Sequence, residues 1–392
     1  MTPPMTPMTP IEDLMRHRVG QDCLHVPSAR FGLLLALRHW FAPGERVLVA
    51  PTNCETVLFT VMAAGLEPVM APVSWHDGNI DAPLVDWTGL AGVLTTHLYG
   101  QPDQVKDLVT QCERRGLVLI DDASHAFQTM VGGRLAGSFG QAGVYSMAKH
   151  GRAMSGGFLT TANKVAFAAL REAREKLLLP GESSDQARAV VMPMLRETLY
   201  RTGAVRLLWH VMRRLGVVNW TGHRLAPHED MLGAALGDVD AMDYWLSSDN
   251  AGWRTRPGPS LMRYQRSRLR TVDEEQERRL AGVEKLRRTP WAAQGVRDNP
   301  IRPLLRVPLM IEQRDEVVSE LERMGVVPGF IYDPPLDEYL TMIPQGPTPE
   351  IARWWTGHAL PVDPLDAPRM IRLLTRIGAR PADGSHFERE PR

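Results

Sequence analysis

Between residues 28 and 161, short apolar runs of four or five residues alternate with longer stretches patterned at helical spacing. Alternation of that kind constrains the chain to an α/β architecture, in which buried strands are joined by helices lying on the faces of a mainly parallel sheet. The spacing predicts helices over 28–41, from the turn at Pro51 to Ala64, over 104–115 and over 164–178. It predicts strands over 47–50, 69–73, 92–95, 117–120, 144–146 and 158–161. Gly65 and Gly116 close two of the helices, as residues suited to a left-handed cap.

The strand over 117–120 ends in Asp121 and Asp122. Within the next 35 residues come a lysine at Lys149 and the pair Gly156-Gly157. Residues at the carboxyl ends of parallel strands face the binding crevice, which favours a functional role for the acidic pair over its alternatives, a helix cap or a structural salt bridge. A P-loop ATPase also ends a strand in an acidic residue, but it needs a G-x-x-x-x-G-K-[ST] loop upstream, and none is present. A metal site on the two carboxylates and His125 lacks a second cluster with ligand spacing. A strand-end carboxylate and a loop lysine are what a pyridoxal-phosphate enzyme requires: the lysine holds the cofactor as a Schiff base and the carboxylate keeps the pyridine nitrogen protonated. The small residues around Gly156-Gly157 leave room for a bulky ring near the backbone.

Charge excludes little and directs less: 45 basic and 45 acidic residues cancel, so no global field favours nucleic acid. Cys23, Cys54 and Cys112 are too few and too scattered for a disulfide framework, which fits a reducing, cytoplasmic compartment. The opening MTPPMTPMTP lacks the charged and apolar regions of a signal peptide, and no apolar run reaches the length of a membrane span. Residues 1–19 read as a flexible segment and 20–180 as a large cofactor-binding α/β domain. A helical insertion spans 181–253, a smaller α/β domain 254–380 with strands over 305–310 and 329–332, and a loose tail 381–392. Within the insertion, residues 204–215 set Val205, Leu208, Met212 and Leu215 on one helical face with Arg206, His210, Arg213 and Arg214 opposite. Such a helix packs as a surface helix or dimer contact, or meets an anionic ligand or a membrane surface weakly.

Several motifs together resemble the DegT/DnrJ/StrS-type aminotransferases, a family of fold type I pyridoxal-phosphate enzymes that aminate keto sugars. They are Gly137-Ser-Phe-Gly140, Val144-Tyr-Ser146, Lys149, Gly156-Gly157, His97-Leu-Tyr-Gly-Gln-Pro102, Asp77-Gly-Asn-Ile-Asp81 and Pro43-Gly-Glu-Arg-Val47. The segments 325–335 and 359–364 resemble the family's C-terminal domain. The resemblance implies a homodimer that takes a small-molecule amino donor and acceptor. It makes Lys149 the Schiff-base lysine and proton shuttle, Asp122 the partner of the pyridine nitrogen, and His125 a neighbour of the phenolic oxygen. It sets Ser28, Ala29 and Arg30 at the phosphate, where backbone N–H groups and the helix dipole act, with Ser146 as a phosphate-binding serine and Cys54 against the ring face. The chain departs from the family in having Ala29-Arg30 where Gly-Thr is usual, so that the arginine side chain replaces a hydroxyl contact. It also departs in a shortened Ser146–Lys149 spacing, in Cys54, in the missing Asn-Tyr-Arg-Met segment and in the insertion. Retention of Lys149 separates it from the dehydratase branch, which has His there. Elimination, decarboxylation or carbon–carbon bond chemistry on the same cofactor, and a non-catalytic scaffold, are the remaining alternatives.

Overall fold

The computed structural model describes residues 9–153, 155–181, 224, 227–248, 252–326 and 329–389. The amphipathic stretch 204–215 lies outside them. The chain opens with α1 (Pro10–Val19), capped by a reciprocal Thr9–Glu12 box and closed by Gly20 in the left-handed region. The expectation of a loose N-terminal segment therefore fails from Pro10 onward. Ile11 and Met15 are buried with Phe127, Tyr145 and Leu269, a stronger pull than the Pro/Thr repetition suggested.

Strands β1 (Asp22–Val26), β2 (Arg46–Val49), β3 (Glu67–Met70), β4 (Gly92–Thr96) and β5 (Val118–Asp122) are followed by a hairpin of β6 (Met130–Val131) and β7 (Arg134–Leu135). After it come β8 (Ala142–Ser146) and β9 (Gly157–Thr161). Seven of them form one sheet in the order β1-β9-β8-β5-β4-β2-β3. The run β3-β2-β4-β5-β8 is parallel, and β9 is antiparallel to both its neighbours. Crossovers are made by α2 (Ala29–Trp40), α3 (Glu55–Ala63) and α4 (Val105–Arg115), with α5 (Lys164–Leu177) after β9. Helix α2 buries Phe31 through Leu37, and Ser28 caps it by accepting the Phe31 N–H. Removing a cap of this kind costs about 1 kcal/mol.

The end of the insertion is built into the core. Helices α6 (Glu229–Ala235) and α7 (Asp243–Leu246) bring Leu232, Met242, Trp245 and Leu246 into the same apolar cluster as α2, α3 and the sheet, joined by Trp253. Helix α8 (Pro259–Arg270), expected with the C-terminal domain, adds Leu269 to the cluster around α1. Beyond it, helices Gln276–Arg287, Arg314–Arg323 and Ala367–Ile377 surround an antiparallel pair, β10 (Val307–Met310) and β11 (Ala359–Val362). Leu98 and Tyr99, from the end of β4, enter this second core, so the seam between the lobes runs past the carboxyl edge of the large sheet. The strand expected over 329–332 is a loop: its carbonyls take side-chain donors instead of a ladder. Residues 385–389, expected loose, form a short 3-10 turn in which Phe387 meets Trp354.

Gly156 is on the wall of the cavity at the carboxyl edge of the large sheet, and Gly157 has a packing purpose in addition to the one expected of the pair. At Gly157 a Cβ would stand 2.5 Å from the Tyr145 carbonyl oxygen and 2.9 Å from Ala29 N. Its absence lets β8, β9 and the start of α2 close up on one another. Gly157→Ala is expected to lose about 1–3 kcal/mol of stability, seen as a lower denaturant midpoint at unchanged slope. Gly156 adopts φ +93°, and a Cβ there would collide with the Gln265 amide at 2.6 Å.

Candidate active site

The carboxyl ends of β1, β2, β4, β5 and β8 open into one cavity. Every residue to which the resemblance gives a cofactor role lies on its wall: Ser28, Ala29, Arg30, Cys54, Asp122, His125, Ser146 and Lys149. Asn53, Glu55, Thr96, Ser124, Phe330 and Tyr332 share it. The loops between these elements are short, so the sheet's strand order, not loop length, brings the residues together.

The acidic pair divides its work. Asp121 is fully buried, and its carboxylate accepts from His97 Nε2 at 2.7 Å, from Gly137 N at 2.9 Å and from Phe139 N at 3.0 Å. His97 Nδ1 accepts from Asp103 N, which leaves the proton on Nε2 for Asp121. Asp121 therefore ties the His97 and Gly137–Gly140 motifs together and is structural. Asp122 lines the cavity with one oxygen accepting from Ser124 N at 2.9 Å. Burial raises its carboxyl above the usual range, against the lowering pull of the Ser124 hydrogen bonds and His97.

His125 is held on both ring nitrogens. Nδ1 accepts from Tyr99 N at 3.3 Å, and Nε2 faces the Tyr332 hydroxyl at 3.3 Å. The Tyr99, His125 and Tyr332 rings lie nearly parallel to one another, with interplanar angles of 2–11°. Burial first, then the Lys149 charge, holds the imidazole well below its ordinary value, so His125 is neutral. The turn carrying Lys149 is fixed from behind: His150 Nε2 donates to the His125 carbonyl at 2.9 Å, Met147 N to Gly156 O at 3.0 Å, and Arg268 Nε to Gly151 O at 2.9 Å. Lys149 Nζ lies 4.6 Å above the centre of the Phe330 ring. Burial, then the Arg279 charge, takes His150 down to about 3.

These histidines make the fold acid-sensitive. An unfolded chain protonates them below about pH 6.5, the native chain does not, and stability falls as pH drops through that point, by at most about 1.4 kcal/mol per pH unit per group. His150→Gln keeps a donor for the His125 carbonyl and removes one such group. Its urea midpoint is expected to fall less steeply than the wild type's between roughly pH 6.5 and 4.

At the other wall, Cys54 caps α3 and its thiol lies 2.9 Å from the Thr56 hydroxyl. Burial, then Glu55, pushes that thiol up to about 11. Ser28 accepts from Phe31 N while its hydroxyl donates to the Trp253 carbonyl at 2.7 Å. The Arg30 guanidinium donates to the Leu246 carbonyl, so its side chain also braces α7. Ser146 is buried on the cavity wall despite its shortened spacing from Lys149. Sequence reasoning missed Tyr99, Tyr332, Phe330, His150 and Arg224. The H-x-Y-G-x-P spacing marked Tyr99 without revealing that its N–H aims at His125. Among the described residues, no cluster of three His, Cys, Asp or Glu side chains is arranged to hold a metal. No described helix is long and apolar enough to cross a membrane.

Residues 12–189 match the sequence model of the DegT/DnrJ/EryC1/StrS aminotransferase family. The spore coat polysaccharide biosynthesis protein SpsC of Bacillus subtilis is 29% identical over 148 residues, 36% of this chain and 38% of that protein. A putative L-glutamine:3-amino-2,3-dideoxy-scyllo-inosose aminotransferase of Micromonospora echinospora is 30% identical over 173 residues, 40% of this chain and 41% of that protein. Both matches thus span well under half of the relative. Among solved structures, DesI with its TDP-sugar product superposes with a TM-score of 0.64 at 20% identity, covering 94% of this chain and 84% of that one. The E. coli GDP-4-keto-6-deoxy-D-mannose-3-dehydratase with bound hydrated PLP gives 0.64 at 15% identity, covering 93% and 89%. At such identities these two establish the fold: α/β, of fold type I.

Proposed function

We propose, on the premise that residues 12–189 belong to the DegT/DnrJ/EryC1/StrS aminotransferase family, that this chain is a pyridoxal-phosphate-dependent aminotransferase. It moves an amino group from glutamate or glutamine to the keto or aldehyde group of a sugar or similar biosynthetic intermediate. The observation that carries the reading is the convergence of Lys149, Asp122, His125 and the N-terminus of α2 on one cavity.

The residues fit the cofactor chemically. Burial raises the Asp122 carboxyl, a cost that a cationic pyridinium N–H would offset. The start of α2 offers backbone donors and the positive end of a helix dipole to a phosphate. A neutral His125 carries a proton on Nε2 for hydrogen bonding. Bound there, pyridoxal phosphate supplies an electron sink and the carbonyl carbon that accepts the amino group. Lys149 holds the cofactor through its amine and, once released, moves the proton at the substrate carbon. Asp122 holds the proton at the ring nitrogen. His125, kept in place by Tyr99 and Tyr332, orients the ring, and Cys54 packs beside its face. Ser28, Ala29, Arg30 and Ser146 hold the phosphate. The enzyme works as a homodimer.

Titrating the cofactor-loaded protein with L-glutamate and with L-glutamine tests the donor half of the reading. One of them is expected to bleach the visible cofactor band, and a keto sugar is expected to restore it. A band that ignores both donors would favour another reaction of the same cofactor.

A further inference from the structure

Arg224, a residue of the insertion, lies in the seam between the lobes, where its side chain is only 2% exposed. Its guanidinium is shared among four partners. Nη1 donates to Glu55 Oε2 at 2.9 Å, Nη2 to Asn53 O at 2.8 Å and Tyr332 O at 3.1 Å, and Nε to Pro334 O at 2.7 Å. Its central carbon also lies 5.4 Å from the Tyr339 ring centre and 5.9 Å from that of Tyr332. Asn53 and Glu55 flank Cys54 on the large-lobe wall of the cavity, and Tyr332 forms the opposing wall from the small lobe. The three carbonyls belong to loops outside any strand ladder, and a buried loop carbonyl needs a donor from elsewhere.

We propose that Arg224 is a positioning residue that pins the Asn53–Glu55 turn to the Tyr332–Pro334 loop and so fixes the separation of the two cavity walls over Cys54. One residue of the insertion is thereby required for a complete site. A planar fork of donors suits carbonyls from both walls together with a carboxylate, whereas a lysine would keep the Glu55 charge pair and lose most of the carbonyl bonds. The inference stands on this geometry and does not depend on which cofactor or substrate the cavity takes.

Thiol accessibility tests it on the full-length chain with no cofactor added. Cys23 and Cys112 are buried, and Cys54 alone is partly exposed. Dipyridyl disulfide, a neutral reagent, undergoes exchange in which the Cys54 thiolate forms a mixed disulfide and expels one thiopyridone, read by its absorbance. Arg224→Met is expected to speed modification of a single thiol about tenfold or more, the effect of weakening wall closure by one decade. Arg224→Lys is expected to fall between Met and wild type, and Cys54→Ser in the Arg224→Met background to abolish the fast reaction. An Arg224→Met rate within about twofold of wild type would overturn the proposal. So would fast release from all three thiols, which signals loosening of the whole fold, or a fast phase that survives Cys54→Ser.

Discussion

Lys149→Ala is expected to remove the visible cofactor band and to lower amine transfer by at least about 10³-fold, since it deletes both the covalent anchor and the proton carrier. The fold should hardly notice. Lys149 is partly exposed, and its turn is fastened by the Met147–Gly156 and His150–His125 hydrogen bonds, none of which uses the lysine side chain. Among its contacts is a cation–π contact with Phe330, worth about 0.5–1 kcal/mol at such a site. Lys149→Arg keeps that charge but has no amine for the cofactor carbonyl, so it is expected to be as inactive as the alanine variant while retaining wild-type stability. Spectra and denaturation midpoints of the two variants, taken together, separate covalent chemistry from charge. Activity in Lys149→Arg near the wild-type level would show that charge alone suffices.

Asp121→Asn and Asp122→Asn are expected to fail in opposite ways despite being adjacent and nearly isosteric. At Asp121 the change removes a charge that holds His97 and turns an acceptor of two backbone N–H groups into an amide with only one accepting atom. A buried, fully bonded carboxylate broken in this way costs about 3–5 kcal/mol, enough to lower the melting temperature by several degrees or to prevent folding. At Asp122 the asparagine oxygen can still accept from Ser124 N. Burial raises the carboxyl that is being removed, so stability should hold or rise slightly. Turnover is expected to fall by about 10²–10⁴-fold because the ring nitrogen loses the group that keeps it protonated. Stability loss at Asp122 together with full activity at Asp121 would reverse the assignment of roles.

The large-lobe strands were readable because each is an uninterrupted apolar run bounded by turn residues, as in Val-Leu-Ile before Asp121. Strand β1, Asp-Cys-Leu-His-Val, escaped notice because polar residues interrupt it, although its pairing with β9 and its side-chain burial make it part of the core. Strand β11 contains Pro361, which demotes a run to an edge strand, and it pairs only with β10. Periodicity suggested a strand where Phe330 and Tyr332 sit, yet the loop there is held by Tyr99 and Arg224, residues some 230 and 108 positions away. The same limit applies to the site. Asp122, His125 and Lys149 follow local patterns that identify them, whereas Arg224, His150 and the Tyr99–Tyr332 brackets around His125 acquire meaning only from long-range packing. Which aspartate of the pair faces the cavity was carried by resemblance, and the hydrogen bonds of Asp121 supply its physical reason.

Borohydride reduction of the cofactor-loaded protein, followed by mass analysis of its peptides, tests the central claim most directly. The account predicts reduced cofactor attached covalently at Lys149 and nowhere else, with no attachment after prior exposure to the competent amino donor. Attachment at another lysine, or none in protein that displays the visible band, would contradict it.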